Sequence, residues 1–166
     1  LRRQRQMCIR DRREYDAYIL GGDTNEASDL VISCSAFGIA DKNSLMLRSC
    51  AKAGDIVAVT GAFGKTAAGL RILLGHMKPP KRFRKKLVDS VLMPRARLVE
   101  GLALAQTSSV TASIDSSDGL AWSLHELARA SRVGFIIDNL PVAEEVADLA
   151  KLCAAAPVEF CLYGGE

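Results

Sequence analysis

The chain has little aromatic material to build with. Phe, Trp and Tyr make up only 5% of its 166 residues, so any core must come mainly from Leu, Val, Ile and Ala. His76 and His125 are isolated, with no second histidine at metal-ligand spacing, and each reads as structural. The five cysteines (Cys8, Cys34, Cys50, Cys153, Cys161) are odd in number and form no CxxC pair. That argues against a zinc site and a disulfide framework, and for reduced thiols in a cytoplasmic protein. No apolar run approaches the roughly 18 residues of a membrane-spanning helix, so no membrane partner is expected. A GxSxG elbow is missing, as is any local Ser-His-Asp or Cys-His pairing. Gly64-Lys65-Thr66 lacks the glycine that a phosphate-cradling GxxxxGK[ST] loop needs, because Val59 stands there. The segment therefore reads as a tight strand-to-helix turn, with Lys65 a solvated first-turn residue.

What is present suits a globular chain: 49% hydrophobic and 25% charged residues. The net charge of +3 is concentrated at the start. Residues 1–13 hold six arginines and one aspartate, which leaves the remaining body at −2. This opening run has no helical or strand period and reads as a non-native or disordered segment, with a basic nucleic-acid arm as the alternative. The second basic run, Lys78 to Lys86, reads as a solvated helix face, so no nucleic-acid partner is expected.

Strands are predicted over 30–39, 55–60, 110–114 and 134–137, in each case from apolar or alternating residues bounded by turn signals. Helices are predicted from Thr66 through Leu74, over 81–92, from Pro94 through Leu104, from Leu120 through Ala128, and from Pro141 through Leu152. Alternating strands and helices argue an α/β or α+β fold. Asp41-Lys42-Asn43-Ser44 is a polar break that suggests a domain boundary.

The stretch Ser113-Ile114-Asp115-Ser116-Ser117-Asp118-Gly119-Leu120 carries the chemistry. It sets two carboxylates three residues apart where a strand pattern gives way to a helical one. Ser116, Ser117 or Asp118 can cap the helix. Capping does not account for a second acid at the strand's end, and hard carboxylate oxygens beside a helix amino-terminus suit magnesium together with phosphate. Taken alone, Asp23 in Gly21-Gly22-Asp23-Thr24 reads as a turn residue, Glu166 as a turn acid, and Arg48 is uninformative.

In order along the chain, six segments resemble the thiamine-monophosphate kinase family of the aminoimidazole ribonucleotide synthetase-like superfamily. They are GGDT (21–24), LRSCAKAGD (47–55), VTGAFGKTAAGL (59–70), PRARLVEGLAL (94–104), SIDSSDGLAWSLHELARAS (113–131) and YGGE (163–166). The resemblance implies a two-domain α/β (α+β) fold, present here as a partial chain. Residues 14–40 would close the amino-terminal ATP-binding domain and 41–166 would form part of the carboxy-terminal one. It also implies ATP-dependent phosphorylation of thiamine monophosphate to thiamine diphosphate with Mg2+, in a protein that is a homodimer when full length. Asp23, Asp115 and Asp118 match magnesium ligands, with Asp115 and Asp118 at the catalytic centre. Gly22, Arg48 and Ser117 match contacts to ATP, and Glu166 matches the acid on the thiamine side. The family's Gly-Asp-Asp segment and the tail after GGE have no counterpart here, Ala53 replaces a frequent proline, and Lys65 stands where an acid is common. The chain thus reads as a fragment with little or no activity alone. The alternatives are another ATP-using superfamily member, or a non-catalytic nucleotide-binding or dimerisation module.

Overall fold

A computed structural model describes residues 15–164; Glu166 and residues 1–13 lie outside them. Packing divides the chain into two compact units, Leu1–Ala40 and Asp41–Glu166. In the first unit, residues 17–40 contain no helix or paired strand, and Leu30, Val31 and Ile32 point into solvent.

The second unit opens on a 3-10 turn, Lys42–Ser44, where Asp41 caps the chain by accepting from the Asn43 amide at 3.0 Å. Among the described residues six α-helices follow: α1 (Lys65–Leu73), α2 (Lys81–Leu92), α3 (Leu98–Thr107), α4 (Leu120–Ser131), α5 (Glu144–Cys153) and α6 (Pro157–Leu162). The predicted span of α2 holds to the residue. Pro79-Pro80 breaks the chain ahead of it, and Phe83 and Leu87, four apart, turn one face inward while the basic residues stay wet.

The main core joins α1, α2, α5 and α6 through Ala68, Ile72, Phe83, Leu87, Val146, Leu149 and Phe160. Fully burying each large side chain contributes about 1.5–3 kcal/mol. Helix α1 packs chiefly on α2. Gly69 permits that approach, because a Cβ there would collide with the Leu87 carbonyl. Gly64, at φ +105°, lies beneath Val146 and Phe160, with their side-chain carbons 3.1 and 3.2 Å from where its Cβ would be. The turn before Lys65 is thus a packed core corner.

Two expectations about helices change. The helix foreseen from Pro141 begins at Glu144, because residues 141–143 are held extended by a parallel bridge between Phe63 and Val142. Phe63 N donates to the Pro141 carbonyl at 2.6 Å, and Ala143 N donates to the Phe63 carbonyl at 2.9 Å. The helix foreseen from Pro94 begins at Leu98, since Arg97 adopts ψ 49°. It buries none of its residues, so the apolar face read from Leu98, Val99, Leu102 and Leu104 covers nothing among the described residues. Helix α6 was not anticipated, being a single six-residue stretch.

None of the four predicted strands is paired among the described residues. Ser113 N bonds the Leu47 carbonyl at 3.0 Å, but no ladder of such bonds runs along any of the four among the described residues, and an extended segment without a ladder is not stabilised as a strand. Ile56 and Ile136 are accordingly 93% and 94% exposed.

Candidate functional site

The site forms where residues 110–119 run into α4. Gly119 is the residue before the helix, at φ +98° and ψ 163°, and no side chain caps the first turn. This corrects the expectation that Ser116, Ser117 or Asp118 would do so. A Cβ at Gly119 would lie 2.5 Å from the Leu162 carbonyl and 2.8 Å from Gly164 N. The Ser-Asp-Gly turn and the end of α6 therefore touch. Phe63, Leu120 and Cys161 form a second buried cluster beneath this contact.

Freed from capping, Asp115, Ser117 and Asp118 face outward. Arg48, Asp115, Ser117 and Asp118 line one cleft of about 240 Å3. Arg48 Nη2 lies 3.4 Å from Asp115 Oδ1, with the two side chains 53% and 72% exposed. An exposed pair of this kind stabilises the fold by at most about 1 kcal/mol. Its importance is chemical: a permanent cation stands beside a carboxylate on an accessible surface.

The loop that carries Arg48 is tied down from several directions. Ser113 N donates to the Leu47 carbonyl at 3.0 Å. Ser131 Oγ donates to the Arg48 carbonyl at 2.8 Å and accepts from Ala51 N at 3.1 Å. Further along, Asp55 accepts from Lys52 N at 2.8 Å and from the Thr111 hydroxyl at 2.6 Å. Those two donors, the Thr111 hydroxyl first, hold the Asp55 carboxyl below its usual range.

Sequence reasoning missed Ser123, Trp122, Glu126 and Arg129, all on α4 and all lining the cleft. Ser123 is buried; its Oγ donates to the Asp115 carbonyl at 3.3 Å and lies 3.1 Å from the Ser116 hydroxyl. The available signal was a serine on the apolar stripe set by Leu120, Leu124 and Leu127. Glu126 pairs with Arg129 at 3.0 Å. Trp122 stacks on His125, their ring centroids 5.6 Å apart, and both help to line a wider depression of about 610 Å3 with Asp118, Leu162 and Tyr163.

Asp23 and Gly22 belong to the first unit. There Asp23 Oδ1 accepts from Thr24 N at 2.8 Å and Oδ2 from Asn25 at 3.4 Å, the local pattern of a turn aspartate. Among the described residues no three His, Cys, Asp or Glu side chains gather as a metal cluster. Asp115 and Asp118 nevertheless offer hard oxygens on one cleft, and magnesium commonly takes one or two carboxylates with the rest of its shell from phosphate and water. The donor set fits that ion.

The chain belongs to the AIR synthase related protein family, whose C-terminal domain matches residues 52–160. Within it, the resemblance to thiamine-monophosphate kinases is borne out. The chain is 39% identical over 157 residues to the thiamine-monophosphate kinase of Pyrococcus horikoshii, covering 93% of this chain and 47% of that protein. It is 37% identical over 153 residues to that of Nitrosopumilus maritimus, covering 92% and 47%. A solved structure, AaThiL complexed with AMPPCP and TMP, superposes with a TM-score of 0.66 at 32% identity, covering 73% of this chain and 39% of that one. The chain thus has a partial AIR synthase-like fold and spans about half the length of the curated relatives it matches. No helix among the described residues is long and apolar enough to cross a membrane.

Proposed function

We propose that this chain supplies part of the active site of an ATP-dependent kinase that converts thiamine monophosphate to thiamine diphosphate. The observation that carries this reading is the cleft that brings Arg48, Asp115, Ser117 and Asp118 together at the start of α4. Similarity to a protein solved with AMPPCP and TMP supports the choice of nucleotide and acceptor.

In this reaction an acceptor phosphate oxygen forms a bond to the γ-phosphorus of ATP while the bond to the bridging oxygen breaks, and ADP leaves. The acceptor oxygen is already anionic near neutral pH, so no general base is required. Catalysis then consists of positioning and charge neutralisation. Asp115 and Asp118 would hold Mg2+, which would neutralise charge on the transferring phosphoryl group; Asp23, in the first unit, is proposed as a magnesium ligand on the sequence resemblance alone. Arg48 directs its guanidinium to a nucleotide phosphate, and Ser117 offers a hydroxyl donor to the same ligand. By the sequence resemblance alone, Gly22 is proposed as a phosphate-lining residue and Glu166 as the acid on the thiamine side. Ser123 holds the Asp115 backbone at the turn, which fixes where that carboxylate projects. A homodimer and a cytoplasmic setting complete the reading.

The test is formation of thiamine diphosphate from ATP, magnesium and thiamine monophosphate by the reading frame that contains this chain. Product formation supports the assignment. Turnover of another small substrate in competition, with thiamine monophosphate left untouched, would move the chain to a different activity within the family.

A further inference from the structure

We infer that Ser131, at the far end of α4, is the positioning residue for Arg48. The inference rests on the proposed contact between Arg48 and nucleotide phosphate. Ser131 is the last residue of α4, and the Asp118-Gly119 turn lies at the helix's other end. Its hydroxyl bridges two backbone groups of one loop: it donates to the Arg48 carbonyl at 2.8 Å and accepts from Ala51 N at 3.1 Å. A single hydroxyl has one proton to give and lone pairs to receive, so both bonds form at once and close the loop onto the helix. These contacts join residues 83 and 80 positions apart in the chain.

The consequence lies in which residue is held. Arg48 is long, about half exposed, and makes one contact of 3.4 Å with Asp115. That pair is too weak to fix its own geometry in water. The backbone beneath it is fixed instead, by Ser131 on one side and by Ser113 N donating to the Leu47 carbonyl at 3.0 Å on the other. Helix α4 thus sets the Asp118-Gly119 turn at one end and the Arg48 backbone at the other. Ser131 touches no substrate in this account; it acts by setting where the guanidinium starts from.

The experiment compares the wild-type chain with Ser131→Ala and Ser131→Thr. AMPPCP affinity in the presence of magnesium is measured by calorimetry, and the Ala51 amide and Arg48 Nε–H signals are followed in nitrogen-15 spectra. Losing two bonds to a serine hydroxyl should weaken nucleotide binding about tenfold. The Ala51 amide should lose protection from exchange in Ser131→Ala, and the Arg48 Nε–H signal should shift. Ser131→Thr keeps a hydroxyl and should restore affinity and both signals. Wild-type affinity in the alanine variant overturns the inference, as do unchanged Ala51 and Arg48 signals or a threonine variant as impaired as the alanine one. If even the wild-type chain fails to bind AMPPCP, the nucleotide reading of the cleft fails and the spectra alone decide. Loss of the two signals in Ser131→Ala with recovery in Ser131→Thr then upholds the positioning, and signals unchanged by the alanine variant overturn it.

Discussion

Gly119 lies so close to Leu162 that a Cβ on the glycine would be 2.5 Å from the leucine carbonyl oxygen. This contact joins the start of α4 to the end of α6. Through it, the turn bearing Asp118 abuts Tyr163 and Gly164, two segments more than 40 positions apart in the chain. Gly119 also holds φ at +98° and ψ at 163°, a conformation that side chains rarely adopt. Both constraints act on the same residue.

Gly119→Ala should therefore destabilise the chain by about 2 kcal/mol or more, from backbone strain together with the displaced carbonyl. Gly101, inside α3 with open space around it, is the control. Gly101→Ala should be neutral or stabilising by up to about 1 kcal/mol, through helix propensity. Thermal melts of the two variants check the contrast; equal midpoints would mean that the α4–α6 contact does not form.

A parallel case holds between α1 and α2. Gly69→Ala would drive a methyl into the Leu87 carbonyl, where only backbone movement can relieve it. Its melting midpoint should fall well below that of Gly101→Ala. A wild-type midpoint would contradict the close helix approach.

Most of the helical skeleton was legible in the sequence, for a local reason. The 81–92 helix needs only Pro79-Pro80 ahead of it and an apolar pair four residues apart, and both are visible within a dozen residues. Strands are different, because a segment such as 55–60 becomes a strand only when another backbone pairs with it. Its apolar pattern says nothing about whether that neighbour is in place. Pro141 shows the same limit: it looked like a helix start, yet a bridge to Phe63, far back in the chain, holds it extended. The site was legible in part. Asp115 and Asp118 stood out as a local anomaly, and Arg48 entered only through resemblance. Ser123 left only the faint signal of a serine on an apolar stripe, and Ser131 left none, because serines are common on helices and its partners are backbone groups 80 or more positions away.

Acid should loosen the chain through its carboxylates. Hydrogen bonds from the Thr111 hydroxyl and the Lys52 amide hold Asp55 below its ordinary range. Glu145, bonded by its own amide and then by Lys86, is lowered as well. A lowered folded-state value means that the unfolded chain binds protons first, so stability rises with pH in that window. The contribution is fully present above the unfolded value, about 3.9 for aspartate and 4.3 for glutamate, and is lost as pH falls through the folded one. Melting midpoints should drop between about pH 5 and pH 3, and Asp55→Asn should flatten the drop. A midpoint independent of pH over that range would contradict the assignment.

Ser123→Ala removes the hydroxyl that bonds the Asp115 carbonyl from inside α4. A loss of about 1 kcal/mol in stability is expected, together with weaker nucleotide binding if the turn sets the Asp115 carboxylate. Chemical denaturation and calorimetry measure the two effects separately. Unaltered binding would show that the turn holds its shape without this bond.

The central claim is that Asp115 belongs to a phosphate-transferring site, and Asp115→Asn tests it most directly. Asparagine keeps the size of the side chain but removes the charge that a magnesium-bound nucleotide requires. Thiamine diphosphate formation, measured with the reading frame that contains this chain, should fall by about two orders of magnitude or more. A rate equal to that of the wild type would contradict the account.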